Sequence, residues 1–145
     1  MRFTNGYWML REEMTPAYAV EYAGHTVKGD ELVVYLPGKH IAGRGDALNI
    51  PMLTITLSTP MEGVIKVSAV HHAGALYKGP FAEIKNDHPH AEITETNESL
   101  SFASGSLKAV IDKTPHAYKL AFYEGDKFLT ESSFRNLAHM QNRET

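Results

Sequence analysis

The chain contains no cysteine. Disulfides, thiolate nucleophiles and cysteine-based zinc sites are therefore excluded, and the fold has to hold by packing alone. No uninterrupted apolar run approaches the roughly 20 residues of a membrane-crossing helix, and the N-terminus lacks a basic region followed by an apolar stretch. The expectation is a soluble, unexported, cytoplasmic chain with no membrane partner. The net charge is -3, and Lys and Arg form no stripe, so there is no electrostatic footprint for a nucleic-acid backbone. Glycine loops that cradle phosphate, Gly-x-Gly-x-x-Gly or Gly-x-x-x-x-Gly-Lys, are missing, as is a Gly-x-Ser-x-Gly nucleophile elbow. No cofactor is expected. Convincing helical periodicity is absent throughout.

What is present is short-range alternation. Leu53, Ile55 and Leu57 alternate with Thr54, Thr56 and Ser58, which gives an extended segment one apolar and one hydroxylated face. Thr59-Pro60-Met61-Glu62-Gly63 then reverses the chain, because proline presets a turn and glycine permits a left-handed exit. Val64 to Val70 returns with Ile65, Val67 and Ala69 on one face, so Leu53 to Val70 reads as the hairpin that anchors a sheet. Val20 to Val27 and Leu32 to Leu36 flank Lys28-Gly29-Asp30 as another hairpin. Further strands are expected at Ala91–Thr96, Leu100–Ala103, Ser106–Ile111, Tyr118–Phe122 and from Lys127, with turns at Asn97-Glu98, Ser104-Gly105-Ser106 and Glu124-Gly125-Asp126. Eight to ten antiparallel strands with turn signals every eight to twelve residues or so indicate an all-β sandwich and not βαβ units. With 145 residues, one domain burying roughly 68–70% of its unfolded surface is the expectation. Its β-sandwich is assigned to residues 1–132, and 133–145 to a polar tail or the start of a truncated continuation.

Candidate chemistry is sparse. His71, His72, His88 and His90 are the histidines that would have to converge on a metal. Neighbours along a strand point to opposite faces, so His71 and His72 cannot both ligate from one segment, and no metal site is expected. Glu62, Glu83, Asp87 and Asp112 all fall at turns, where acids are common for backbone reasons, and no facing pair can be chosen. Arg44-Gly45-Asp46 lies in a loop and Asn97-Glu98-Ser99 at a hairpin tip, each a chance match to a short motif. Tyr7 and the single tryptophan, Trp8, read as an aromatic anchor for the N-terminal strand. The stretch Ala73 to Lys85 reads as a long ordered loop, the kind of segment that carries function.

Gly6-Tyr7-Trp8, Leu32 to Tyr35, the block from Pro51 to Pro80 and Ser104 to Lys113, taken in that order and spacing, resemble the beginning of the family 31 glycoside hydrolases, nearest the α-xylosidase branch. The resemblance covers most of residues 5 to 132. It implies a galactose-mutarotase-like sandwich, or supersandwich, packed on a catalytic (β/α)₈ barrel of a retaining α-glycosidase. Such an enzyme works through two carboxylates, one forming a covalent glycosyl-enzyme and one acting as acid and then base. In that family both are aspartates on the barrel, which needs about 250 residues and lies outside this chain. No catalytic residue is therefore assigned here, and the chain alone is expected to be inactive. Its implied partners are the parent's barrel and α-glycoside substrate. An open edge on the unfinished sheet would also favour self-association into a homo-oligomer. Tyr77 and Phe81, in the glycine-rich Ala73–Phe81 loop, are the candidate substrate-binding residues. The rival function is a free-standing carbohydrate-binding module with a platform built from Tyr7, Trp8, Tyr77 or Phe81. A small mutarotase-like enzyme is disfavoured because no histidine–carboxylate pair can be assigned.

Overall fold

The alternating segments do become strands, and their apolar faces meet. A computed structural model of the chain describes residues 2–7, 9–71, 89–114 and 117–144. Eleven strands occur among them: β1 Met14–Tyr18, β2 Gly24–Lys28, β3 Glu31–Pro37, β4 Met52–Ser58, β5 Lys66–Val70, β6 Glu92–Glu95, β7 Ser99–Ser104, β8 Leu107–Asp112, β9 Leu120–Glu124, β10 Lys127–Ser132 and β11 Ala138–Asn142. No α-helix is found among the described residues; a single 3₁₀ turn covers Arg44–Ala47.

Two antiparallel sheets form a β-sandwich. One has the order β2-β3-β4-β5, the other β10-β9-β8-β7-β6, and β1 pairs with β11 as a separate ribbon. Because side chains alternate across a strand, the register puts Leu32, Val34 and Leu36 of β3 and Leu53, Ile55 and Leu57 of β4 on one face. These pack against Leu100 and Phe102 of β7, Ala109 and Ile111 of β8 and Leu120 of β9 in one continuous core. Each such side chain contributes about 1.5–3 kcal/mol by leaving water. The outer positions of β4, Thr54, Thr56 and Ser58, are only half buried.

The tight turns follow the residue chemistry. Gly63 and Gly105 have φ of 73° and 58°, in the left-handed region that a side chain would strain. Between these two turns lies a buried polar contact: Thr59 Oγ1 and Ser104 Oγ share a 2.6 Å hydrogen bond, and Ser104 Oγ also accepts from the Gly63 amide at 3.1 Å. A second polar seam joins β2 to β6, where His25 shares a hydrogen bond with the Tyr22 hydroxyl at 2.7 Å and lies 3.6 Å from Glu95. Burial is the leading cause that pushes the Tyr22 hydroxyl above its ordinary pKa.

Three sequence expectations are corrected. Val20 to Ala23 is not strand: it follows β3 through two isolated bonds, Val20 amide to Pro37 carbonyl and Ala23 amide to Tyr35 carbonyl, and the regular ladder begins only at Gly24. The segment around Tyr7 makes one bridge, Thr4 to Leu10, around the Asn5-Gly6 turn, and Tyr7 is 80% exposed, so it anchors nothing; Trp8 lies outside the described residues. Polar composition in 133–145 promised no final strand, yet Ala138–Asn142 pair with Met14–Tyr18. Met14–Tyr18 forms its strand despite Pro16, because a two-stranded ribbon tolerates the missing donor. The ribbon is tied to the sandwich where Ala19 donates to the Leu137 carbonyl at 2.9 Å and where Gly38 lets Ala17 approach so closely that an added Cβ would sit 3.1 Å from it.

Candidate functional site

The segment that fails to become strand carries the most unusual side chain of the molecule. Glu21 is the one buried carboxylate among the described residues, 9% exposed. A carboxylate taken from water needs partners. His40 Nδ1 lies 2.9 Å from Glu21 Oε2, and the Ile41 amide donates to Oε1 at 2.9 Å. The loop bearing His40 is itself braced: Asp46 accepts from the Ala42 and Gly43 amides and from Lys39 Nζ. The Lys39 hydrogen bond comes first among the causes holding the Asp46 carboxyl below its ordinary pKa.

Beside His40 opens a cleft of about 400 Å³. Val20, Tyr118 and Phe134 supply its apolar wall, and His40, Asp112, Lys119 and Ser133 its polar groups. Tyr118 is packed into the core, and its hydroxyl shares a 3.0 Å hydrogen bond with Ser132. Burial raises the Tyr118 pKa, with the Ser132 bond opposing. Lys119 Nζ is paired at 3.0 Å with Glu131, whose hydrogen bond leads the causes raising the ammonium pKa. Asp112 accepts from the amide and hydroxyl of Thr114.

Phe134 stands differently. It is 57% exposed, in the turn between β10 and β11. Its ring lies 5.9 Å from Tyr18 at 59° and 5.2 Å below the Arg135 guanidinium. Arg135 has φ of 72°, a conformation that costs a non-glycine residue free energy and is concentrated at functional sites. The cleft thus combines an apolar wall with a few polar groups, the mixed lining of a small-molecule site.

Of the aromatics singled out from the sequence as possible binders, Tyr7 is the one among the described residues, and it does not line this cleft. Tyr77 and Phe81, together with His72, His88, Glu83 and Asp87, lie outside the described residues. His71 stacks on His139, centroids 3.7 Å apart, while His90 pairs with Asp30 at the other sheet end. Among the described residues no group of three or more His, Asp or Glu side chains converges as a metal site would require. Glu62 packs over Gly105. The histidine–carboxylate pair that the sequence could not assign exists as Glu21 and His40, from segments 19 residues apart. A signal for it was present: a lone carboxylate inside Ala19-Val20-Glu21-Tyr22-Ala23 must either turn outward or find partners.

Over its whole length the chain is similar to α-xylosidases. It is 33% identical to an alpha-xylosidase of Emericella nidulans over 152 aligned residues, covering 100% of this chain and 19% of that enzyme. It is 32% identical to the alpha-xylosidase XylQ of Lactiplantibacillus pentosus over 145 residues, again all of this chain and 19% of the relative. The chain thus spans about a fifth of the length of the relatives it matches. No family model matches it. The resemblance read from the residues is upheld by these relatives, as is the all-β sandwich by the structure.

Proposed function

We propose, starting from whole-length similarity to one part of the α-xylosidases, that this chain is the non-catalytic N-terminal β-sandwich domain of a larger retaining α-glycosidase. Its sandwich, of the galactose-mutarotase-like type, supports a catalytic (β/α)₈ barrel on the same polypeptide. The carrying observation is the match at 33% identity along 100% of this chain and 19% of the relative. The edge strand β5, exposed along its length, offers a face for the barrel or for a second copy of the chain.

The test is the reading frame and the activity together. We expect the gene to continue beyond Thr145 into a region with barrel periodicity. The full-length protein should release xylose from an aryl α-xyloside, and the 145-residue chain alone should show no turnover. Hydrolysis by the isolated chain would overturn the non-catalytic assignment. A full-length protein unaffected in folding and activity by removal of this domain would overturn the supporting role.

A further inference from the structure

We propose that the cleft between His40 and Phe134 is a binding site for one pyranose unit. Three observations point the same way. The cleft, about 400 Å³, is of the size and mixed character of a small-ligand site. Phe134 is exposed, and it is displayed by a turn whose next residue, Arg135, holds a left-handed backbone with φ of 72°. The imidazole of His40 is fixed in orientation by Glu21 Oε2 at 2.9 Å, so the polar side of the cleft is set before a ligand arrives.

A pyranose matches this division. Its axial C–H face lies flat on an aromatic ring, and its ring of hydroxyls needs both donors and acceptors within a few ångströms. Phe134, which also packs on Arg135 and Tyr18, supplies the aromatic surface, and His40, Asp112, Lys119 and Ser133 line the polar side, where a sugar hydroxyl would share Lys119 with Glu131 and Asp112 with Thr114. Tyr118 forms the back wall, and its hydroxyl is engaged by Ser132. A charged ligand fits less well: Asp112 and Lys119 bring one charge of each sign. The choice of an α-xyloside as first probe rests on the reading of the chain as part of an α-glycosidase; the site itself rests on the cleft.

The experiment is a titration of the ¹⁵N-labelled 145-residue chain with methyl α-D-xylopyranoside, followed by amide shifts. Shifts at Tyr118, Lys119, Ser133 and Phe134 are expected, saturating with a Kd on the order of 1 mM. Phe134→Ala should weaken binding about tenfold or more, while Tyr7→Ala, on a still more exposed ring that does not line the cleft, leaves it unchanged. Should Phe134→Ala disturb the turn, Phe134→Leu keeps an apolar side chain without an aromatic face and should show the same loss. Absence of shifts at these amides up to about 50 mM sugar, or unaltered affinity in both variants, overturns the site. If methyl α-D-glucopyranoside shifts the same amides and the xyloside does not, the cleft stands as a pyranose site and the xyloside choice falls. Failure of both sugars removes the site and leaves the sandwich-and-barrel reading to be decided by the gene's continuation.

Discussion

Leu57 and Val67 are direct neighbours across the β4–β5 ladder, both β-sheet apolar residues, both on the face that meets the opposing sheet. Leu57 is 0% exposed and Val67 43%. The core between the sheets takes in Leu53, Ile55 and Leu57 from β4, and Ile65 just before β5, but neither Val67 nor Ala69. Alternation decides which face a residue occupies; the place of its strand in the sheet decides whether anything covers that face. β4 is central and β5 is an edge. The same holds in the other sheet, where β7 alternates between buried and half buried while β10 is exposed at five of its six positions.

The sharpest way to break this comparison is to cut both side chains back. Leu57→Ala leaves a void in a core closed from both sides and should cost about 2–5 kcal/mol in urea unfolding. Val67→Ala removes methyl groups that water already reaches and should stay within about 0.5 kcal/mol of the parent. Comparable losses from the two variants would mean that β5 is covered as thoroughly as β4.

A smaller effect belongs to the polar contact at the end of these strands. Thr59 follows β4 and Ser104 ends β7; both are buried, and their hydroxyls are 2.6 Å apart. Ser104→Ala strips a partner from the Thr59 hydroxyl and from the Gly63 amide, which donates to Ser104 Oγ at 3.1 Å. The expected loss is about 1–3 kcal/mol, the range for leaving a buried polar group unsatisfied. Thr59→Val together with Ser104→Ala should recover part of it, because both ends of the bond are then apolar. A single variant as stable as the parent would show that water reaches the site and that the two sheets are less tightly joined here.

Local chemistry made much of the sandwich legible. Leu53–Leu57, Leu100–Phe102 and Leu107–Ile111 alternate at period two, and the turns at Gly63 and Gly105 sit where a left-handed residue is needed. What could not be read is long-range. The partner of Met14–Tyr18 is Ala138–Asn142, from the far end of the sequence, and neither segment announces itself: one holds Pro16, the other is largely polar. The candidate cleft suffers from the same limit. Tyr118 and Phe134 come from the second sheet's strands and turns, His40 from a loop of the first, and only closing the sandwich brings them beside Glu21. Hence Tyr7, read from the sequence as an anchor for the N-terminal strand, is exposed on a turn, while Phe134, in a segment read as a tail, lines the cleft.

Besides its ladder with β4, the edge strand is fastened at its end to the ribbon, and this contact gives the smallest of the expected effects. His71, directly after β5, stacks on His139 of β11, with centroids 3.7 Å apart and planes 20° off parallel. Burial first, and the neighbouring His71 second, lower the His139 pKa from 6.5. The folded chain therefore resists a proton that the unfolded chain accepts. Because the unfolded state binds more protons in this window, stability rises with pH: the contribution is complete above about pH 6.5 and is lost as pH falls below it toward the lowered folded value. Asp46 and Glu95, held below their ordinary values chiefly by hydrogen bonds from Lys39 and Lys113, remain ionised down to about pH 5 and do not confuse the reading. Urea midpoints measured at about pH 7.5 and pH 5 should therefore fall on acidification in the parent and fall less in His139→Gln. An equal fall in both would place the acid sensitivity elsewhere. It would also leave β5 held to the ribbon by packing alone, which makes the contrast with β4 greater than the stacked pair suggests.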